Sequence, residues 1–86
     1  MTYQLRILPS AQKELGALPS LVRRRLDKAI LALLENPRPS GFVALKGRLI
    51  GLSRIRVGDY RIVYRIEDEV LVIVIVKVGH RRDIYQ

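Results

Sequence analysis

Arginines stand at positions 54, 56, 61 and 65, on either side of a Gly58-Asp59 pair. A two-residue stretch of that kind between alternating apolar and polar segments signals a β-hairpin. With Gly58-Asp59 as the loop, Val57 faces Tyr60, Arg56 faces Arg61, Ile55 faces Ile62 and Arg54 faces Val63. Side chains alternate along a strand, so Arg54, Arg56, Arg61 and Arg65 share one face. Ile55, Val57, Tyr60, Ile62, Tyr64 and Ile66 take the other and belong to the core. A well-matched cross-strand pair gains about 0.2–1 kcal/mol, whereas like charges directly opposite repel. A sheet that sets Arg56 against Arg61 reads as one that places an anion there.

The C-terminal segment Gly79-His80-Arg81-Arg82-Asp83-Ile84-Tyr85 adds to this set. It leaves the last strand beside the hairpin, so Arg81, Arg82, His80 and Tyr85 are expected to join the arginine face. Lys46 and Arg48, set among glycines in the loop PRPSGFVALKGRLIG, are expected beside the hairpin as well. Many cations without a metal site suit RNA cleavage by the RNA's own 2′-hydroxyl, whose transition state concentrates negative charge on phosphorus oxygens. Guanidinium groups donate to such oxygens in a fixed fork. Fixed donors aimed at developing charge are worth on the order of 2.7–4 kcal/mol each. Arginine stays protonated and is no ordinary base. His80 is the candidate proton acceptor, since neighbouring cations favour its neutral form. Tyr85 either transfers a proton or stacks on a base. The blander readings are a plain phosphate-binding patch, a surface histidine capping a strand, and a terminal tyrosine that packs.

Composition bounds these readings. The 86 residues make one domain, spanning 1–86, with 16 Lys+Arg against 8 Asp+Glu and a net charge of +8. That balance favours polyanionic or acidic partners. The chain has no cysteine and one histidine, which excludes thiol chemistry and disfavours a structural zinc site. Glu67, Asp68 and Glu69 read as a solvated turn, and no metal or other cofactor is expected. No glycine-rich phosphate loop opens a helix. The opening MTYQLRILPS lacks the apolar core of a signal peptide, and the run Val70–Val76 is too short to span a bilayer. A cytoplasmic protein without membrane contact is expected.

The elements that must position the arginines follow from pattern. Residues 2–8 alternate as a short strand closed by Pro9. A short helix from Ser10, weakened by Gly16, precedes a second helix after Pro19. Leu18, Val22, Leu26, Ala29, Ile30 and Leu33 form the second helix's apolar stripe, and Asn36-Pro37 ends it. Arg23-Arg24-Arg25 lies mostly off that stripe, as a solvated face or a phosphate contact. Residues 37–51 are a loop with room for a short strand near 42–45. The strand over 70–78 is apolar at nearly every position and therefore central. It pairs antiparallel with the second hairpin strand. On its other side it takes the N-terminal strand, which a right-handed crossover makes parallel. The expected fold is α+β: a four-stranded, mostly antiparallel sheet of order 1-4-3-2, with strands 1 and 4 parallel and a two-helix hairpin on one face.

The blocks PSAQKELGALP, ENPRP, LKG, RIRVGDYRIVYRI and VKVGHRRDIY resemble the RelE family of toxins from type II toxin–antitoxin systems, within the RelE/ParE superfamily. The last two blocks carry most of the resemblance. It implies the same compact sheet with a helical hairpin, and a ribosome-dependent endoribonuclease that cuts messenger RNA in the A site. By position, Arg61 and Arg81 match residues that bind the scissile phosphate, and Tyr85 matches a tyrosine that stacks on the substrate base. Arg54 and Arg56 stand where well-studied members carry lysines, a departure that leaves the proton acceptor unassigned apart from His80. The resemblance also implies a cognate antitoxin, acidic where it wraps the toxin, and operator DNA bound through the antitoxin complex. Two other readings remain: a ParE-like inhibitor of DNA gyrase, and a non-catalytic RNA-binding module.

Overall fold

The computed structural model describes residues 2–80 and 82. The chain runs β1 (Gln4–Ile7), α1 (Pro9–Gly16), α2 (Ser20–Glu35), β2 (Val43–Ala44), a 3-10 turn (Gly47–Leu49), β3 (Ser53–Val57), β4 (Tyr60–Glu67) and β5 (Val72–His80). The strands form one sheet of order β1-β5-β4-β3-β2, with β1 parallel to β5 and the other pairs antiparallel. The expected four-strand order is therefore present inside a five-stranded sheet. The extra strand is β2, where Val43 and Ala44 pair with Arg54 and Ser53. It falls within the stretch 42–45, where the sequence left room for a short strand, although two residues are too few for alternation to place it in the sheet.

Pro9 opens α1 rather than merely closing β1, because a proline at the first helical position loses no hydrogen bond. Helix α2 buries Leu26, Ile30 and Leu33, with Leu18, Val22 and Ala29 packed at the margin of the same stripe. These meet Ala11 and Leu15 of α1 and the sheet residues Ile55, Ile62, Tyr64, Ile73, Ile75 and Val78. Both helices thus cover one face of the sheet.

The hairpin between β3 and β4 has the register read from the sequence: Val57 opposite Tyr60, Arg56 opposite Arg61, Ile55 opposite Ile62 and Arg54 opposite Val63. Gly58 takes φ 62°, with positive φ at the first loop position only, which fits a II′ turn and needs glycine there. The guanidinium of Arg25 lies over this glycine, so a Cβ at position 58 would come within 3.3 Å of it.

Strand β5 departs from simple alternation. Tyr64 pairs with Ile75 but Val63 pairs with Lys77, so Val76 is an inserted residue. A bulge of this kind swaps the faces of everything beyond it. Ile73 and Ile75 point to the helices before it, and Val78 does so after it. Lys77 and Gly79 consequently share the other face with Val63 and Arg61. Strand β1 has ended by then, and the N–H of Val78 donates instead to Glu14 Oε1 of α1 at 2.9 Å. Val70, counted as strand in the sequence, lies exposed in the β4–β5 turn.

Candidate nucleic-acid interface

The sheet face away from the helices carries no helical layer. Val63 and Val74 are nonetheless buried on it, each 3 % exposed, although neither belongs to the helix-side cluster. Their neighbours in register are Arg54 and Lys77 beside Val63, and Arg6 and Arg65 beside Val74. Long basic side chains lay their alkyl stems on apolar surface and keep their charges in water. The cations therefore act as the lid of a small apolar floor, which fixes where their heads project.

Cross-strand rows order the charges. One row is Gly79–Arg61–Arg56, next to the hairpin turn; the next is Lys77–Val63–Arg54. Neighbouring strands lie about 4.8 Å apart and diagonal neighbours about 7–8 Å, so these heads can converge on one group. Arg54 and Arg61 are half-buried and Arg56 is exposed. The Nε of Arg61 is buried without a hydrogen-bond partner. Among the described residues, Arg54, Arg56, Arg61 and Lys77 form no ion pair. A third row holds Arg65, whose Nε donates to Glu67 Oε2 at 2.9 Å and is thereby partly neutralised.

Other expected members of the site lie elsewhere. Lys46 and Arg48 follow β2, in the loop that returns to β3 at Leu52, where Leu45 N–H donates to Leu52 O. That loop is at the far end of β3 from the hairpin turn, four residues and about 13 Å from Arg56 at roughly 3.3 Å per residue. They do not join the Arg56–Arg61 row. His80 pairs with Tyr60 rather than with an arginine, and the two rings meet edge to face at 5.6 Å. The bulge puts it in the helix-side row. Its Nδ1 accepts the backbone N–H of Arg82 at 3.3 Å, holding the chain in a turn beyond β5. Arg82 is exposed at that turn. Arg81 and Tyr85 lie outside the described residues.

Asp68, in the β4–β5 turn, takes part in a structural tie. Tyr3 Oη donates to its Oδ1 at 2.6 Å and Arg38 donates to its Oδ2 at 2.8 Å. The Arg38 contact, then the tyrosine, hold the Asp68 carboxyl below the usual carboxylate range. On α2, Arg23 is spaced one turn from Asp27 at 3.7 Å. Sequence reasoning missed Lys77 and Glu14. The signal for Lys77 was available, as the lone charge inside VLVIVIVKV.

An apolar groove of about 510 Å3 runs between α2 and β3, lined by Ala29, Leu33, Val43, Ile55 and Val57, with Arg54 and Arg56 at its margin. Beyond the two pairs made by β2, the outer edge of β3 from Ile55 to Val57 has no strand partner among the described residues.

The family profile described as the ParE toxin of the type II toxin–antitoxin system, parDE, matches residues 5–85. The chain belongs to the RelE/ParE superfamily of toxins. It is 36% identical over 87 residues to Toxin RelG of Mycobacterium tuberculosis, covering 100% of this chain and 99% of that protein. It is 34% identical to the mRNA interferase toxin RelE of Escherichia coli K12, covering 94% and 85%. The toxin's fold matches the RelBE2 toxin–antitoxin complex of M. tuberculosis with TM-score 0.85 and 30% identity, over 94% of this chain and 100% of that one. The archaeal RelE–RelB complex of Pyrococcus horikoshii OT3 matches with TM-score 0.82 and 32% identity, over 96% and 99%. No helix among the described residues is long and apolar enough to cross a membrane.

Proposed function

We propose that this toxin is a ribosome-dependent, metal-independent mRNA endoribonuclease, neutralised by a cognate antitoxin. The observation that carries the reading is Arg61, whose buried Nε lacks an acceptor while Arg56 stands directly across the strand pair. Leaving a buried donor unpaired costs about 1–3 kcal/mol, more for a charged group. A phosphodiester bound between the two side chains supplies that acceptor and relieves their repulsion. The name of the E. coli relative, an mRNA interferase, points to the same substrate.

In this mechanism the 2′-oxygen of the message attacks the adjacent phosphorus. Arg61 and Arg56 donate to the non-bridging oxygens as charge accumulates there. Arg54 and Arg65 grip the flanking backbone. By resemblance Arg81 joins the phosphate clamp and Tyr85 stacks on the substrate base, while Arg82 adds a phosphate contact at the strand end. Lys46 and Arg48, at the far end of the sheet, are placed for ribosomal RNA rather than the reacting phosphate. The antitoxin, found with the related toxins as RelB, is expected to be acidic here. The groove beside α2 and the open edge of β3 suit a wrapping chain, and operator DNA would be reached through that complex. The cytoplasm, where messages are translated, is the expected compartment.

A gyrase-directed activity is the second reading, favoured by the ParE description of the family profile. An inhibitor of a protein target has no need of an unsatisfied arginine on a bare sheet face. The deciding experiment is primer extension on a defined message in a purified translation system. Wild type is expected to give discrete cuts within A-site codons, absent without ribosomes. Arg61→Ala and Arg81→Ala are expected to lose cleavage and growth inhibition by 100-fold or more while still binding antitoxin, given about 2.7–4 kcal/mol per donor. Intact message with inhibited supercoiling would select the gyrase reading. RNA binding without cleavage would leave a binding module.

A further inference from the structure

We infer that Lys77 is the general base that takes the 2′-hydroxyl proton. This rests on the nuclease reading above. Arginines occupy positions 54 and 56, and a guanidinium does not give up its proton, so neither can accept one. A lysine amine can, and lysines serve enzymes as general bases. Lys77 brings an amine to this face through the one-residue bulge at Val76. Were the strand regular through Val76, Lys77 would keep the parity of Ile73 and Ile75 and point at the helices. Bulges next to active sites commonly re-aim a side chain in this way.

Placement supports the role. Lys77 shares a row with Val63 and Arg54, and is diagonal to Arg61 across the β4–β5 pair. Its amine therefore reaches the space that Arg61 and Arg56 flank. On its face are Arg61 from β4, Arg54 and Arg56 from β3 and Arg6 from β1; Glu14 of α1 lies on the helix side, its carboxylate held by Val78 N–H. His80 is the rival, but its ring stands in the Tyr60 row and its Nδ1 already accepts Arg82 N–H.

In the step itself the neutral Lys77 Nζ accepts the 2′-hydroxyl proton as the O2′–P bond forms. The P–O5′ bond breaks with its electron pair going to O5′, which takes a proton from water. The products are a 2′,3′-cyclic phosphate and a 5′-hydroxyl end. No oxidant or metal enters the balance.

The test is single-turnover cleavage of message on programmed ribosomes, as a function of pH. Wild type is expected to speed up with pH along a single proton loss. Lys77→Arg keeps charge and bulk, and is expected to cleave about 100-fold slower or worse, with that limb gone and ribosome binding retained. The chain has no cysteine, so Lys77→Cys carries a unique thiol that bromoethylamine converts to a thioether amine. That product is expected to recover cleavage, with its limb displaced to lower pH. Lys77→Arg cutting at the wild-type rate, or losing its limb only when His80→Ala is added, would overturn the assignment. A 5′-thio leaving group that restores Lys77→Arg would make Lys77 the acid instead, also overturning it. If wild type leaves the message intact, the nuclease reading itself fails and Lys77 falls with it.

Discussion

Tyr64 lies wholly inside the helix-side core, and its hydroxyl donates to the carbonyl of Pro37 at 2.6 Å. That bond pins the start of the loop after α2 to the middle of β4. Tyr64→Phe leaves the carbonyl unpaired and is expected to cost about 1–3 kcal/mol in urea denaturation. Burial also pushes the Tyr64 hydroxyl up from its ordinary 10.0 to about 12. The unfolded chain then ionises first, so the Tyr64 contribution is complete below the ordinary value and is lost as pH climbs towards the raised one. The alkaline decline in stability should be shallower in Tyr64→Phe. Asp68 has the opposite sign. Its depressed carboxyl contributes above the ordinary carboxylate range and stops contributing in acid. Tyr64 was legible from alternation alone. Its partner was not, because nothing in the sequence says which carbonyl a buried hydroxyl will find.

At the scale of elements, the hairpin was readable because its two strands alternate strictly and its turn residues allow one loop length. The α2 stripe was readable for the same reason, at a different period. Strand β5 was readable as the central strand but its bulge was not, since VIVIV is apolar on both faces and an inserted residue leaves no mark in such a run. The face of His80 depended on that bulge, so the shared face of Arg56 and Arg61 was legible, while His80, expected on it, stands in the helix-side row with Tyr60. Glu14 was invisible because its partner is a backbone N–H released where β1 stops. Its role predicts that Glu14→Ala costs about 1–3 kcal/mol by orphaning Val78 N–H in a partly buried position. Glu14→Gln keeps an acceptor and should cost clearly less in the same thermal or urea melts.

Over the whole molecule, positive charge outnumbers negative two to one, 16 against 8. The described ion pairs engage Arg23, Arg38 and Arg65, none of them in the Arg56–Arg61 row. Binding to single-stranded RNA should therefore weaken with salt, with a slope of about −0.7 per neutralised phosphate. Anisotropy titrations are expected to show Arg61→Ala losing about 0.7 from that slope. Arg38→Ala, whose charge is spent on Asp68, should leave it unchanged. The inserted residue in β5 also bears on how such a chain can diverge over time. Exchanging Val76 for another apolar residue leaves the pairing count intact and passes unnoticed. Losing its codon closes the bulge, so that Lys77 follows Ile75 directly, still opposite Val63 and away from the helices, with Val78 still opposite Ile62. Lineages of this fold should therefore tolerate a gap at that position as well as many letters, whereas a gap on either side of it, at a paired residue, shifts the register.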